Sequence, residues 1–105
     1  MNVLFVCSRN KWRSRTAETI FKDNHKHEFR SAGTENDARI KINQKLVQWA
    51  DLIFVMEKRH KQKLQDKFDQ ILNSKRITIL DIEDNYQYMD EELIETLKIS
   101  VIPYL

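Results

Sequence analysis

"VLFVCSRNKWRSRTAETIF", residues 3–21, decides how this chain folds. It opens with four apolar residues, Val3 to Val6. A continuous apolar run of that length marks a strand buried on both faces, as in parallel sheets. It closes with Ala17, Ile20 and Phe21 at helical spacing. Between the two patterns lie Cys7, five further residues, Arg13 and Ser14. A strand therefore passes through a short loop into a helix, with a thiol at the strand's carboxyl end.

The same alternation continues outward. Leu52–Met56 and Ile77–Leu80 are two more strand-length runs, and Phe29–Ala32 is a weaker one ended by Gly33-Thr34. Helical patterns fall between them. Asn43 is a candidate N-cap, with Ile42 and Val47 at hydrophobic-staple spacing and Leu46 and Ala50 on the same face. From Lys58 on, Leu64, Phe68, Ile71 and Leu72 keep helical spacing, as one helix or two pieces. Asp90 caps a last helix, with Met89 and Ile94 as its staple; Leu93, Leu97 and Val101 continue its face, and Pro103 stops it. The prediction is an α/β three-layer sandwich, with a four-stranded parallel sheet and helices on both faces. Ligands of such folds bind outside the carboxyl ends of the strands, which is where Cys7 stands.

The totals fit one domain over residues 1–105: apolar residues are 41%, charged residues 32%. Gly33 and Pro103 are the only residues of their kinds, so no linker or domain boundary is visible. No apolar run approaches the ~20 residues of a membrane helix, and the four apolar residues near the N-terminus are too few for a secretory h-region. One cysteine allows no internal disulfide, and together these features give a cytoplasmic expectation with no membrane partner. A net charge of +2 with both signs interspersed gives no case for nucleic acid. The sequence carries no signal of oligomeric state.

A loop running from strand to helix converges its backbone N–H groups, with those of the helix N-terminus, on one point. Cys7 there feels the positive helix end and Arg13, both of which favour a thiolate nucleophile. Arg13 can grip two oxygens of a phosphoryl group through its planar fork. A dianionic phosphate monoester fits such a cup, and attack on it gives a phosphocysteine. The plain alternative is a small buried hydrophobe, as free cysteines commonly are. The position between a buried strand and an amphipathic helix favours the chemical reading.

At this point the sequence resembles a family. The quoted stretch is similar to the active-site loop of the low-molecular-weight protein tyrosine phosphatases, V-L-F-V-C-x-G-N-x-C-R-S-P-x-A-E. The likeness continues in "SAGT" (Ser31–Thr34), "ADLIFVM" (Ala50–Met56) and "IEDNY" (Ile82–Tyr86), where the family has an Asp-Pro-Tyr segment. The resemblance implies that Cys7 is the nucleophile, Arg13 the phosphate clamp and Asp84 the general acid. It implies that Ser14 bonds the thiolate and that Asn10 holds the loop in a left-handed turn. Ser8, Arg9, Lys11 and Trp12 complete the phosphate-binding loop, and Tyr86 and Tyr88 would wall the cleft. The family needs neither metal nor cofactor, because arginine and loop amides supply the positive charge. The implied substrate is a phosphorylated protein or a small phosphate ester, phosphotyrosine-like.

This chain departs from the pattern at four points. Arg9 stands for the loop glycine, Trp12 for the second cysteine, Arg15 for the proline after Arg-Ser, and Asn85 for the proline after the acid. The chain is also shorter than the family norm, with the deficit after Gly33-Thr34. Asp81 is a second eligible acid, while Asp90 is better explained as the helix cap. The readings that compete with a phosphatase are a non-catalytic phosphate-binding module on the same fold, arsenate reduction and a phosphocysteine carrier. Arsenate reduction usually recruits further thiols, and this chain has none. A carrier must keep its phosphocysteine, whereas Arg13 and a nearby acid favour hydrolysis. His25 and His27 read as a solvated loop, His60 and the basic stretch Lys58–Lys67 as a wet helix face, and Trp49 as core.

Overall fold

A computed structural model describes residues 1–105. Four strands, β1 (Asn2–Cys7), β2 (Glu28–Gly33), β3 (Leu52–Val55) and β4 (Arg76–Ile79), pair in parallel in the order β2-β1-β3-β4. β1 is central, and Val3 to Val6 are fully buried, as their unbroken apolar run requires. Phe29–Ala32, the weakest strand signal, belongs to an edge strand. Its residues alternate between exposed and buried at the start, yet it pairs with β1 over all six positions.

Side chains alternate across the sheet and so build two cores. Val3, Phe5 and Cys7 join the layer of α1 (Arg13–Phe21) and α4 (Glu91–Val101), where Leu93, Leu97 and Val101 are buried. Phe5 is the hub there, stacked on Phe54 at 5.5 Å and on Phe21 at 6.0 Å between ring centres. Leu4 and Val6 join the opposite layer of α2 (Gln44–Trp49) and α3 (Lys58–Leu72). Helices cover both faces, as predicted. Asn43 accepts the Leu46 N–H at 2.9 Å and Asp90 accepts that of Glu92 at 2.9 Å, so both expected caps form. α3 runs through as one element with a break at Phe68, whose φ is −129°. No helix is long and apolar enough to cross a membrane.

One contact in the fold positions the loop after β1. A Cβ added at Gly33 would lie 2.5 Å from the Ser8 carbonyl oxygen, 2.7 Å from the Ala38 Cβ and 2.9 Å from the Arg9 carbonyl carbon. Two of those atoms are backbone and cannot step aside. Gly33→Ala is therefore expected to cost about 1–3 kcal/mol and to push the loop out of place. A lowered melting temperature with a parallel loss of phosphate binding checks this.

Candidate active site

Cys7 is the last residue of β1, and Arg13 opens α1. The five residues between must reverse into the helix, and Asn10 supplies the turn with φ of 58°. The segment after β2 braces the loop from below. Thr34 N–H donates to the Cys7 carbonyl, Glu35 N–H to that of Ser8 and Arg39 N–H to that of Arg9, each at 2.9 Å. The Arg39 Nε adds a bond to the Asn10 carbonyl at 3.0 Å. The short connection after Gly33-Thr34 thus serves as the loop's scaffold.

The thiol is prepared from two sides. Its Sγ lies 2.9 Å from the Ser14 Oγ and accepts the Asn10 backbone N–H at 3.2 Å. The Asn10 Nδ2 donates to Ser14 Oγ at 2.7 Å. That leaves the Ser14 proton for Sγ, since the only other acceptor, the Ala32 carbonyl, is more distant at 3.4 Å. Two donors converging on sulfur stabilise a thiolate. Nothing from the Trp12 side chain caps α1, so the first-turn N–H groups keep no internal partner.

Arg13 is buried, which its charge permits because carboxylates and a carbonyl face it. Its Nη1 donates to the Ile82 carbonyl at 2.9 Å and lies 3.5 Å from a Glu57 carboxylate oxygen. Its Nε lies 3.7 Å from Asp84 Oδ1. Glu57 was not singled out from sequence. It directly follows β3 and its Met56 extension, and so emerges at the same sheet edge as Cys7; that topology was the available signal. Burial raises the Glu57 carboxyl's pKa, but the Arg59 hydrogen bond and the Arg13 charge outweigh it and hold it below its ordinary value.

A cavity of about 260 Å³ opens above the thiol, lined by Cys7, Ser8, Arg9, Lys11, Trp12, Arg13, Asp37 and Asp84. Six loop residues, Asp37 from the segment after β2 and Asp84 from the segment after β4 thus meet, while Asn10 and Ser14 lie fully buried behind them. Asp81 is not in the cavity. Its φ of 56° turns the chain out of β4 so that Ile82 N–H reaches the Met56 carbonyl at 2.8 Å, a turn role that Asp tolerates. Arg9, in the family's glycine position, stands at the rim and pairs with Asp37 at 3.2 Å.

Two expectations need correction. Tyr86 and Tyr88 do not line the cavity. Arg15, standing where the family has proline, lies 4.3 Å from the centre of the Tyr88 ring, and the Tyr88 hydroxyl bonds Thr19 at 2.9 Å, so the ring lies along α1. Tyr86 packs against the first core and reaches Glu92. The aromatic ring at the cavity is Trp12. His60, expected on a wet helix face, is fully buried. It sits at the third position of α3 in a reciprocal capping box with Glu57, its Nδ1 accepting the Glu57 N–H at 3.0 Å and its Nε2 lying 2.9 Å from the Ser8 Oγ. The rest of the basic stretch is exposed or half-buried, apart from Leu64 in the core. Trp49 is half-buried under Arg30. His27 bonds the terminal amine at 3.1 Å, and no three His, Cys, Asp or Glu side chains group to hold a metal.

Burial, with the charges of Arg13 and Arg59, pushes His60 down to about 4. An unfolded histidine titrates near ~6.5. Between those values the unfolded chain binds a proton that the folded chain refuses, so stability falls as pH drops from ~6.5 towards 4. The loss is about 2 kcal/mol by pH 5. Urea unfolding at pH 7 and pH 5 should show it, and His60→Gln should flatten that part of the profile.

Several solved structures share the fold. The low-molecular-weight protein tyrosine phosphatase of T. tengcongensis is 24% identical, with a TM-score of 0.76 over 100% of this chain and 99% of that one. The tyrosine phosphatase Wzb of Escherichia coli K30, in complex with phosphate, is 19% identical, with a TM-score of 0.76 over 98% and 94% of the two chains. The arginine phosphatase YwlE, as a C7S mutant with a phosphorylated active-site serine, is 20% identical, with a TM-score of 0.73 over 93% and 91%. No curated protein sequence matches. Residues 2–43, which hold β1, the whole Cys7–Arg13 loop, α1 and β2, match the model of the low molecular weight phosphotyrosine protein phosphatases. Over that segment the chain is similar to the low molecular weight phosphotyrosine protein phosphatases, and over its whole length it shares the fold of those solved structures.

Proposed function

We propose that the chain hydrolyses phosphate monoesters through a phosphocysteine on Cys7. The observation that carries this reading is the meeting of Cys7, Arg13 and Asp84, from two distant segments, in one cavity. The Cys7 thiolate attacks phosphorus while Arg13 and the loop amides hold the equatorial oxygens. Asp84 gives its proton to the departing oxygen. The S–P bond forms as the O–P bond breaks, and the alcohol or phenol leaves. Asp84, now a carboxylate, takes a proton from water, whose oxygen attacks phosphorus. Thiolate and inorganic phosphate are released. Ser14 and the Asn10 N–H, which stabilise the thiolate as attacker, stabilise it again as leaving group.

The substrate is a phosphorylated protein or a small phosphate ester. An aryl ester suits it best, because Trp12 offers a ring face at the mouth. The competing reading, phosphate binding without turnover, predicts no reaction. Purified protein should release phosphate from an aryl phosphate at neutral pH, and Cys7→Ser should abolish release while keeping phosphate affinity. Binding of phosphate without any turnover by the unmodified protein would establish the competing reading instead.

A further inference from the structure

The contact between buried His60 and Ser8 has no part in the mechanism above. Resting on that phosphatase reading, we propose that His60 is a positioning residue that fixes the Ser8 hydroxyl as a hydrogen-bond donor to the bound phosphoryl group.

The backbone N–H of Glu57 can only donate, and it points at His60 Nδ1 from 3.0 Å. Nδ1 therefore carries a lone pair. Burial and the neighbouring arginines keep the ring neutral, so its single proton sits on Nε2. Nε2–H then donates to the Ser8 Oγ at 2.9 Å. A hydroxyl has one proton of its own, and Ser8's has no other partner among the protein's hydrogen bonds. Ser8 lines the cavity beside Cys7 and Arg13, so that proton is free to meet an anion there.

The opposite tautomer would reverse the outcome. An Nε2 lone pair would draw the Ser8 proton to itself, and the hydroxyl would turn lone pairs towards a phosphate dianion. The choice is made at the start of α3, by a backbone amide that cannot change its role. The capping box that orders α3 thereby sets the polarity of a side chain in the phosphate loop. Arg13 links the same elements, since it faces both Glu57 and the cavity.

The test combines a spectrum with a mutant cycle. The ¹⁵N resonances of the His60 ring at pH 7 should show Nδ1 unprotonated and Nε2 protonated; the reverse assignment overturns the proposal. Inorganic phosphate is the probe for binding, measured as inhibition of aryl phosphate hydrolysis and directly by calorimetry. Ser8→Ala should weaken phosphate on the order of ten-fold, the effect of one charge-assisted bond. His60→Phe should weaken it several-fold, while His60→Gln, whose amide keeps a donor for Ser8 and an acceptor for Glu57, should retain most of the affinity. In the Ser8→Ala background, His60→Phe should cause no further loss. An equal loss in both backgrounds means that His60 acts on the loop and not through Ser8, and overturns the proposal. Unchanged affinity in Ser8→Ala does the same, even if His60→Phe does not fold. Absence of phosphate binding by the unmodified protein defeats the phosphatase reading itself, and is distinguished by the tautomer, which does not depend on a ligand.

Discussion

Arg13→Lys is expected to lose activity by about 10³-fold or more while the protein stays folded. The guanidinium serves two sites at once. One side is bound to the Ile82 carbonyl and faces Glu57, and the rest faces the cavity beside Asp84. An ammonium keeps the charge but cannot span these directions or hold two phosphoryl oxygens in one plane. Losing the Ile82 bond would also release the segment that carries Asp84, so binding and proton transfer fail together. Arg9→Ala is the control. Arg9 is exposed and engages Asp37 at the rim, so its removal should cost a few-fold in KM and little in kcat. Steady-state kinetics of both variants decide the matter; equal losses would mean that the loop is organised around Arg9.

The second large effect concerns Asp84. A phenolate leaves phosphorus slowly unless protonated, and a positioned acid contributes roughly 10²–10⁴-fold. Asp84→Asn should therefore slow phenyl phosphate by that order. It should slow an ester of a fluorinated coumarin far less, because such a leaving group needs little protonation. Asp81→Asn should show no leaving-group dependence. Its carboxyl is outside the cavity, and asparagine suits the same left-handed turn. Dependence on the leaving group in the Asp81 variant alone would place the acid three residues earlier.

Which parts of this were legible in the sequence follows from the range of the interactions. The parallel sheet could be read because Val3–Val6 of β1 and Leu52–Val55 of β3 are buried on both faces and so form unbroken apolar runs. The Cys7–Arg13 loop could be read because its chemistry is local: seven residues span it, and Asn10 and Ser14 are four residues apart. Asn43 and Asp90 could be read because a cap bonds an amide two or three residues away. What escaped depends on contacts between distant segments. His60 sits among lysines and arginines and looks like a wet face until α3 is docked with its first turn against the loop. Glu57 gains its meaning only from Arg13, which reaches it across the sheet edge. Tyr86 and Tyr88 were assigned by the family's pattern. Arg15 changes what Tyr88 packs against, because a cation in a proline's place gives the ring a partner on α1.

The central claim is a covalent bond between Cys7 sulfur and phosphorus during turnover. The most direct measurement is an acid quench within the first turnover of an aryl phosphate, followed by mass spectrometry of the peptide containing Cys7. Asp84→Asn serves as a second sample, since it should also slow breakdown of the intermediate. The expected result is phosphate on Cys7, absent in Cys7→Ala and gone when substrate is exhausted. Turnover with no phosphate on Cys7 in either sample, or undiminished turnover by Cys7→Ala, would contradict the account.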